Sequence, residues 1–193
     1  MGIDRRQART RKAILSALEA MSRSGSLDDL TISSLAEAAD INRVTFYAHF
    51  KSIAEVVDAA VTSILAEAAD SMMEPVADPA LREQGLANIG SFVLTLSAHM
   101  ATIKWVGASR YSGRFGQLLK DSLAAIVNER ISKLDYHCPE RRYSLYIDYL
   151  ASGLTGLVLR LIHEGLDAKL TEEVKRLIVD LFTMSAYEIL GLR

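Results

Sequence analysis

The side chains best suited to specific chemistry lie close together, between residues 31 and 51. Arg43, Tyr47, His49 and Lys51 donate hydrogen bonds or carry positive charge, and Thr45 offers a hydroxyl and a methyl group. Groups of these kinds contact phosphate oxygens and base edges in DNA, where Arg pairs with guanine O6 and N7 and Thr contacts the thymine methyl. The stretch therefore predicts a surface that binds a polyanion.

The elements that would present these side chains are two helices joined by a tight turn. Helical spacing predicts a first helix that begins after Thr31. Leu35, Ala36 and Ala39 are small or apolar enough for a second helix to cross it closely. Asp40 lies where the chain must reverse, and Asp tolerates the left-handed conformation better than most residues.

The second helix is short, over about residues 43–48. Asn42 is placed to cap it, and Val44, Phe46 and Phe50 are predicted to point inward. A helix of this kind fits the DNA major groove, which is ~12 Å wide, and a helix-turn-helix places its second helix there. The polar surface that remains is formed by Asn42, Arg43, Thr45, Tyr47 and His49.

Positive charge is concentrated at the N-terminus. Residues 1–51 carry 8 Lys and Arg against 6 Asp and Glu, whereas residues 52–193 carry 14 against 18. A positive end on an otherwise acidic protein predicts a local contact with a polyanion, and a solvated helix end is the alternative interpretation. Within the first twelve residues, Asp4 alone opposes five basic side chains: Arg5, Arg6, Arg9, Arg11 and Lys12.

Residues 31–51, with the helices predicted on either side, resemble the TetR family of bacterial transcriptional regulators. The resemblance covers roughly residues 8–60 and rests on the stretch from Thr31 through the run 45–51, TFYAHFK. Two positions depart from the family pattern: Asp40 stands where the family usually has Gly, and Ile53 stands where a Lys often follows the motif. The remaining two-thirds resembles the family in size and helical layout.

The resemblance and the side-chain chemistry together assign phosphate contacts. Tyr47, His49 and Lys51 lie at the end of the recognition helix. Thr31 and Ser33 lie at the start of the preceding helix, where N–H groups and the helix dipole point outward. Core packing is the alternative for Tyr47, and a capping or plain surface role is the alternative for His49.

Base contacts are assigned in the same way. Arg43 is expected to read guanine and Thr45 a thymine methyl, and Asn42 completes the predicted DNA-binding set. The basic residues near the N-terminus become an arm that lies near the DNA backbone or enters a minor groove.

Helical spacing of apolar residues runs through the whole chain, and the sequence lacks the alternation of apolar and polar residues that is typical of strands. The sequence predicts an all-α fold of about nine helices. Residues 1–51 form a three-helix DNA-binding domain with the helix-turn-helix, and residues 52–193 form a larger helical domain for effector binding and dimerisation. The predicted helices are 4–24, a second that begins after residue 31, 43–48, 52–73, 79–100, 102–109, 114–135, 139–165 and 171–190.

Local signals mark several helix ends. Ser52 and Glu55 form a predicted capping box that opens the fourth helix. A loop at residues 75–79 precedes a helix that starts at Pro79, and Thr171 is predicted to cap the last helix.

The last two helices predict a two-fold interface between copies of the chain. The final helix is apolar nearly all round, so it must be buried on several sides. A helix-turn-helix protein reads two half-sites as a dimer, in agreement with the family resemblance. Close packing within one chain is the alternative interpretation of the small residues Ser152, Gly153 and Gly156. The predicted interface comprises Ser152, Gly153, Gly156, Arg160, Leu177, Leu181 and Met184.

The family resemblance also implies a small-molecule pocket in the middle of the chain. The residue types there are aromatic and apolar, which suits a pocket but equally suits ordinary core filling. His99, Lys104 and Arg110 are available as polar groups. The predicted pocket residues are Phe92, Leu96, Met100, Trp105, Tyr111, Phe115, Tyr143 and Tyr146.

Other function classes find little support. The sequence contains no nucleophile elbow, no phosphate-binding Gly loop and no metal-ligand spacing, so neither an enzyme, a metal site nor a cofactor is predicted. Cys138 is the single cysteine, which fits a reducing cytosol, and no apolar run approaches the ~18 residues of a membrane span. We therefore expect a cytoplasmic protein without a membrane partner.

Three functions compete on this basis. The favoured one is a homodimeric repressor that binds a pseudo-palindromic double-stranded DNA operator and is released by an unknown small-molecule effector. The alternative is a helical interaction protein whose helix-turn-helix does not bind DNA, which leaves Arg43, Thr45, Tyr47 and His49 without a role. The third is an enzyme with a helical pocket, but the sequence contains no pair of residues suited to catalysis.

Overall fold

The computed structural model describes residues 2–23, 25–71, 82–133, 137–165 and 167–190, with side chains for all of these except 2–4, 82–84 and 182–190. The regular structure in these ranges is helical throughout, as predicted. A short 3-10 helix, Leu27–Asp29, was not predicted. The nine α-helices in these ranges are α1 Gly2–Met21, α2 Ile32–Ala38, α3 Arg43–Tyr47, α4 Ile53–Asp70, α5 Arg82–Ala98, α6 Met100–Gly107, α7 Ser112–Ile131, α8 Glu140–His163 and α9 Ala168–Leu190.

The chain forms two compact units. Unit 1 consists of Met1–Ser63 with His99–Phe115, and unit 2 of Ile64–Ala98 with Gly116–Arg193. Unit 1 thus contains α1 to α3, the first part of α4, and α6, although α6 comes much later in the sequence. The predicted boundary after residue 51 remains a prediction about function, whereas packing divides the chain within α4.

Unit 1 has an apolar core to which α1, α2, α3 and α4 all contribute. Its fully buried side chains recur at helical spacing, so each helix turns one face inward. Packing of α1 on α2 and of α2 on α3 holds the helix-turn-helix together. The buried set includes Ile14, Leu18, Leu27, Leu35, Phe46, Phe50, Val56 and Val57.

Polar contacts hold α6 against α1 and the segment after it. The hydroxyls of Ser22 and Thr102 lie 3.0 Å apart and both residues are buried. His99 Nδ1 lies 2.9 Å from Glu19 Oε1. Two further hydrogen bonds run from Trp105 Nε1–H to the Gly25 carbonyl, 3.0 Å, and from the Arg110 N–H to Asp28 Oδ1, 3.1 Å.

Unit 2 is built mainly from α5, α7, α8 and α9, with α9 packed against both α5 and α8. Val93, Leu161 and Val174 form one buried cluster in which α5, α8 and α9 meet. Ile131, Tyr146 and Ile147 form a second cluster. The apolar spacing that predicted these helices therefore also accounts for their packing.

The predicted starts of α4 and α9 have different outcomes. Ser52 Oγ accepts from the Glu55 N–H at 3.2 Å, so the predicted Ser52 cap is confirmed. The reciprocal half of the capping box differs from the prediction, because Glu55 Oε2 accepts from the Lys51 N–H at 2.6 Å. The start of α9 was predicted wrongly. Its cap is Asp167, whose Oδ1 accepts from the Leu170 N–H at 2.8 Å.

The other predicted bounds agree to within a few residues where they can be compared. The loop at 75–79 and the helix start at Pro79 lie outside the described residues. By length and composition alone, α8 could cross a membrane, with a mean hydropathy of 1.4, but the core helix of a soluble protein meets the same criteria. The sequence analysis predicted this helix but no membrane span, because Asp148 and Ser152 interrupt its apolar run.

Candidate nucleic-acid interface

Two buried phenylalanines fix the orientation of α3. Phe46 is 0% exposed and Phe50, just after the helix, is 1% exposed, and their ring centroids lie 6.2 Å apart. The guanidinium of Arg11 lies 4.4 Å from the centre of the Phe50 ring. One side of α3 is thereby held in the core, so the opposite side faces solvent. The inward direction predicted for Phe46 and Phe50 is confirmed.

The turn between α2 and α3 depends on a residue with positive φ. Asp40 has φ +53°, which is the left-handed conformation predicted for it. The Asp40 N–H donates to the Glu37 carbonyl and the Ile41 N–H to the Ala36 carbonyl, both at 3.0 Å. This pair of bonds is a Schellman motif, which ends α2 and reverses the chain. Asp40 thus adopts the conformation that Gly most often supplies at a helix end.

Side chains cap both helices of the motif. Asn42 Oδ1 accepts from the Thr45 N–H at 2.8 Å, as predicted. Thr31 and Ser34 form a reciprocal capping box at the start of α2, in which Thr31 Oγ1 accepts from the Ser34 N–H at 3.1 Å. The caps satisfy N–H groups that have no partner within their own helix. They give α2 and the five-residue α3 defined starting points.

The solvent face of α3 carries Arg43, Val44 and Tyr47. Tyr47 is 50% exposed and Val44 is 79% exposed, so the prediction that Val44 points inward was wrong. At about 100° per residue, Val44 lies roughly 200° from the buried Phe46 and therefore on the other side of the helix. Counting 100° per residue from the buried Phe46 would have placed Val44 on the exposed side from the sequence alone.

The other predicted DNA contacts surround this face. Ser33 and Lys51 are exposed, whereas Thr45 and His49 are partly buried. Thr31 is exposed, but its hydroxyl is already engaged in the capping box. The structure thus gives Thr31 and Asn42 capping roles, and the individual DNA roles of the eight residues remain predictions.

The basic residues near the N-terminus do not form an arm in the described part of the chain. They belong to α1, which begins at Gly2. An α-helix is about 10–12 Å across with its side chains, whereas the minor groove is ~6 Å wide, so α1 itself does not fit inside that groove. The predicted contact of its basic side chains with DNA stays a prediction. Arg5, Arg6 and Arg9 remain exposed on the helix, and Arg11 packs against Phe50.

Comparison with known protein families matches this same region. Residues 14–60 match the model described as "Bacterial regulatory proteins, tetR family", which spans the end of α1 through the first turns of α4. The match identifies residues 14–60 as the DNA-binding region of a TetR-family regulator. The chain is therefore a DNA-binding transcriptional regulator and not an enzyme. No curated protein matches it in sequence.

Several solved structures share the fold over nearly the whole chain. A TetR-family transcriptional regulator from Streptomyces coelicolor has 22% identity and a TM-score of 0.63, covering 99% of this chain and 87% of that one. The dihydroxyacetone kinase operon activator DhaS has 18% identity and a TM-score of 0.63, covering 95% and 98%. A variant of TetR from Acinetobacter baumannii AYE, in complex with minocycline, has 17% identity and a TM-score of 0.54, covering 92% and 95%. At these identities the likeness establishes the fold.

Helices α8 and α9 present an exposed apolar face. Tyr149 is 66% exposed, and Ser152, Gly153 and Gly156 follow it at helical spacing on α8. A Cβ added at either glycine would meet nothing within 4 Å, so neither glycine serves close packing within the described part of the chain. The other residues of this face are Leu145, Leu159, Arg160, Leu177 and Leu181, whereas the side chain of Met184 lies outside the described residues.

Unit 2 contains a cavity of about 300 Å³. It lies among α5, α7, α8 and α9, and its walls are almost entirely apolar. Asn88, Arg130 and Tyr149 are its polar side chains. Arg130 also donates from Nη2 to the Ala69 carbonyl at 3.1 Å. The apolar part of the lining includes Ile89, Phe92, Val93, Leu123, Val127, Leu154, Leu157, Leu161 and Ile178.

The predicted pocket residues do not come together around this cavity, and of the eight only Phe92 lines it. Met100, Trp105, Tyr111 and Phe115 belong to unit 1, where Trp105 bonds to Gly25. Aromatic composition was a poor guide because aromatic side chains fill cores as readily as pockets. The spacing Gly85, Ile89, Val93 on one face of α5 was the sequence signal that was missed. Of the remaining three, Leu96 is buried, and Tyr143 and Tyr146 pack with Ile131.

Proposed function

We propose that this regulator is a cytoplasmic homodimeric repressor that binds a pseudo-palindromic operator and is released by a small-molecule effector. The observation that carries the DNA-binding half is the solvent face of α3, held outward because Phe46 and Phe50 are buried. Arg43 and Tyr47 lie on that face, and their chemistry suits the major groove and the phosphate backbone.

A salt titration tests the DNA-binding half. Purified protein is titrated against fluorescently labelled random duplex DNA between roughly 50 and 300 mM salt, the range over which phosphate contacts dominate. We expect the logarithm of affinity to fall linearly with the logarithm of salt concentration, at about 0.9 per phosphate neutralised. Absence of binding at low salt would favour the helical interaction protein instead.

The homodimer is supported by the exposed face on α8 and α9. The leucines Leu145 and Leu177 are exposed there, beside the open Gly153 and Gly156. A surface patch of this kind on a soluble protein marks an interaction site more often than not. A second copy of the chain would give the two recognition helices that a two-fold operator needs.

The cavity in unit 2 supports the effector half of the proposal. Its apolar lining favours an effector that is mostly hydrocarbon or aromatic, with a few polar groups facing Asn88 or Arg130.

Release by the effector is tested through reciprocal coupling. Apolar metabolites are screened for a rise in melting temperature, and each hit is titrated against the protein with and without operator. The operator should weaken effector binding by the same factor as effector weakens operator binding, typically ~1–3 kcal/mol. The variant Leu154→Trp, which fills the cavity, should retain operator binding and lose release. An effector that binds without changing operator affinity would contradict its role.

A further inference from the structure

Val44 is the most exposed large apolar side chain among those described, at 79%. It lies in the first turn of α3, directly after Arg43. On a helical projection Arg43, Val44 and Tyr47 fall within about 100° of one another, so they form one continuous surface. An isopropyl group thus lies beside a guanidinium and a phenol on the face that is free to contact a partner.

The fold gives no reason for a valine at this position. Phe46 and Phe50 hold α3 in the core, and Val44 projects away from both. Valine is also a weak helix former, so local propensity does not favour it in a helix of five residues. The helix start is secured separately by the bond between Asn42 and Thr45.

Exposed apolar groups need an apolar partner to gain free energy on binding. Along the base edges of the DNA major groove, the apolar group is the C5-methyl of thymine. We propose that Val44 reads a thymine methyl in each operator half-site and is a specificity-determining residue. This inference rests on the proposed operator binding, and it gives Val44 the role that the sequence had assigned to the partly buried Thr45.

The test removes the methyl from the DNA and the isopropyl from the protein. An operator is selected from a random duplex library with the wild-type protein, and each thymine is then replaced singly by deoxyuracil. Wild-type affinity should fall about three- to fivefold at one thymine of each half-site, as expected for one buried methyl group. Val44→Ala should bind the unmodified operator about three- to fivefold more weakly and respond little to that same replacement.

Two variants serve as controls. Val44→Ile keeps an apolar branched side chain and should retain the deoxyuracil sensitivity. Leu94→Ala removes a side chain that is 72% exposed but lies in α5, and it should behave as wild type.

The proposal is overturned if Val44→Ala keeps full sensitivity at every thymine, or if the wild-type protein responds to none. Either result leaves the repressor standing, because operator binding itself is measured in the same titration. If the wild-type protein selects no operator, the proposed function fails and this inference fails with it. Circular dichroism of each variant checks that α3 and the surrounding domain remain folded.

Discussion

At the scale of single residues, Asp40 shows how a turn can form without the usual glycine. Its φ of +53° is accessible to Asp at a modest cost, because a short polar side chain tolerates the left-handed region better than most. The cost should be much larger for a β-branched residue at the same position.

We therefore expect Asp40→Val to lower the free energy of unfolding by about 1–2 kcal/mol, because its Cβ branch crowds the left-handed backbone. Asp40→Gly should stay within ~0.5 kcal/mol of wild type, since glycine adopts positive φ readily but is more flexible when unfolded. Urea denaturation measures both. Equal stability of the two variants would show that the turn does not require positive φ in solution.

Arg43 and Lys51 are both exposed and positively charged, but they lie at opposite ends of the α3 region. Arg43→Ala should cost ~1–3 kcal/mol with operator DNA and relax the specificity at one base pair. Lys51→Ala should weaken operator and random DNA alike and reduce the salt slope by about one unit. Gel shifts on both DNAs separate these outcomes. Equal losses for Arg43→Ala on the two DNAs would make Arg43 a phosphate contact.

At the scale of elements, α9 is capped by Asp167 and not by Thr171, the residue that its sequence context suggested. Asp167 bonds the Leu170 N–H, whereas the buried Thr171 hydroxyl has no hydrogen-bond partner among the described residues. Sequence reasoning chose Thr171 because a Thr followed by two Glu residues is typical of a helix start.

Asp167→Ala should therefore destabilise the protein by about 1 kcal/mol through loss of the cap. Thr171→Val should be neutral or stabilising by up to ~1 kcal/mol, since it replaces an unsatisfied hydroxyl with a methyl group of the same shape. Both changes are measured by denaturant unfolding. A clear loss of stability in Thr171→Val would reveal a partner for its hydroxyl in solution.

The attachment of α6 in unit 1 provides a second prediction at this scale. Thr102→Val removes the buried hydroxyl that faces Ser22 and should cost about 1 kcal/mol. Thr155→Val is a matched control, because the Thr155 hydroxyl bonds within its own helix, to the Ala151 carbonyl at 2.7 Å. Adding Ser22→Ala to Thr102→Val should cost less than the sum of the single changes. Additive costs would show that the two hydroxyls do not interact.

At the scale of the whole molecule, the exposed glycines of α8 allow assembly to be tested without disturbing the folding of the single chain. Gly156→Leu should leave the single chain folded, because the new side chain enters open space, and should disrupt the dimer by holding the partner helices apart. Gly113→Leu is the control, since Gly113 is also helical and exposed but lies in α7. Light scattering measures the mass of each variant. A dimer of Gly156→Leu with wild-type DNA affinity would place Gly156 outside the interface.

Much of the fold could be predicted from the sequence because its determinants are local. Apolar spacing, the Asn42 cap and the Ser52 cap depend on residues within one or two turns, so they can be identified without knowing what lies elsewhere. The left-handed Asp40 belongs to the same class. The family resemblance located the DNA-binding region for the same reason, since it is a short contiguous stretch.

What only the tertiary structure decided involves residues far apart in sequence. That α6 joins unit 1 depends on contacts such as Ser22 with Thr102 and Gly25 with Trp105, each 80 residues apart. The cavity does not lie among the predicted aromatic residues, because its walls come from four helices. Sequence spacing within one helix does not determine which faces of the other helices it contacts. Periodicity identifies a face that must be buried, but the partner for that face is fixed only when the helices pack.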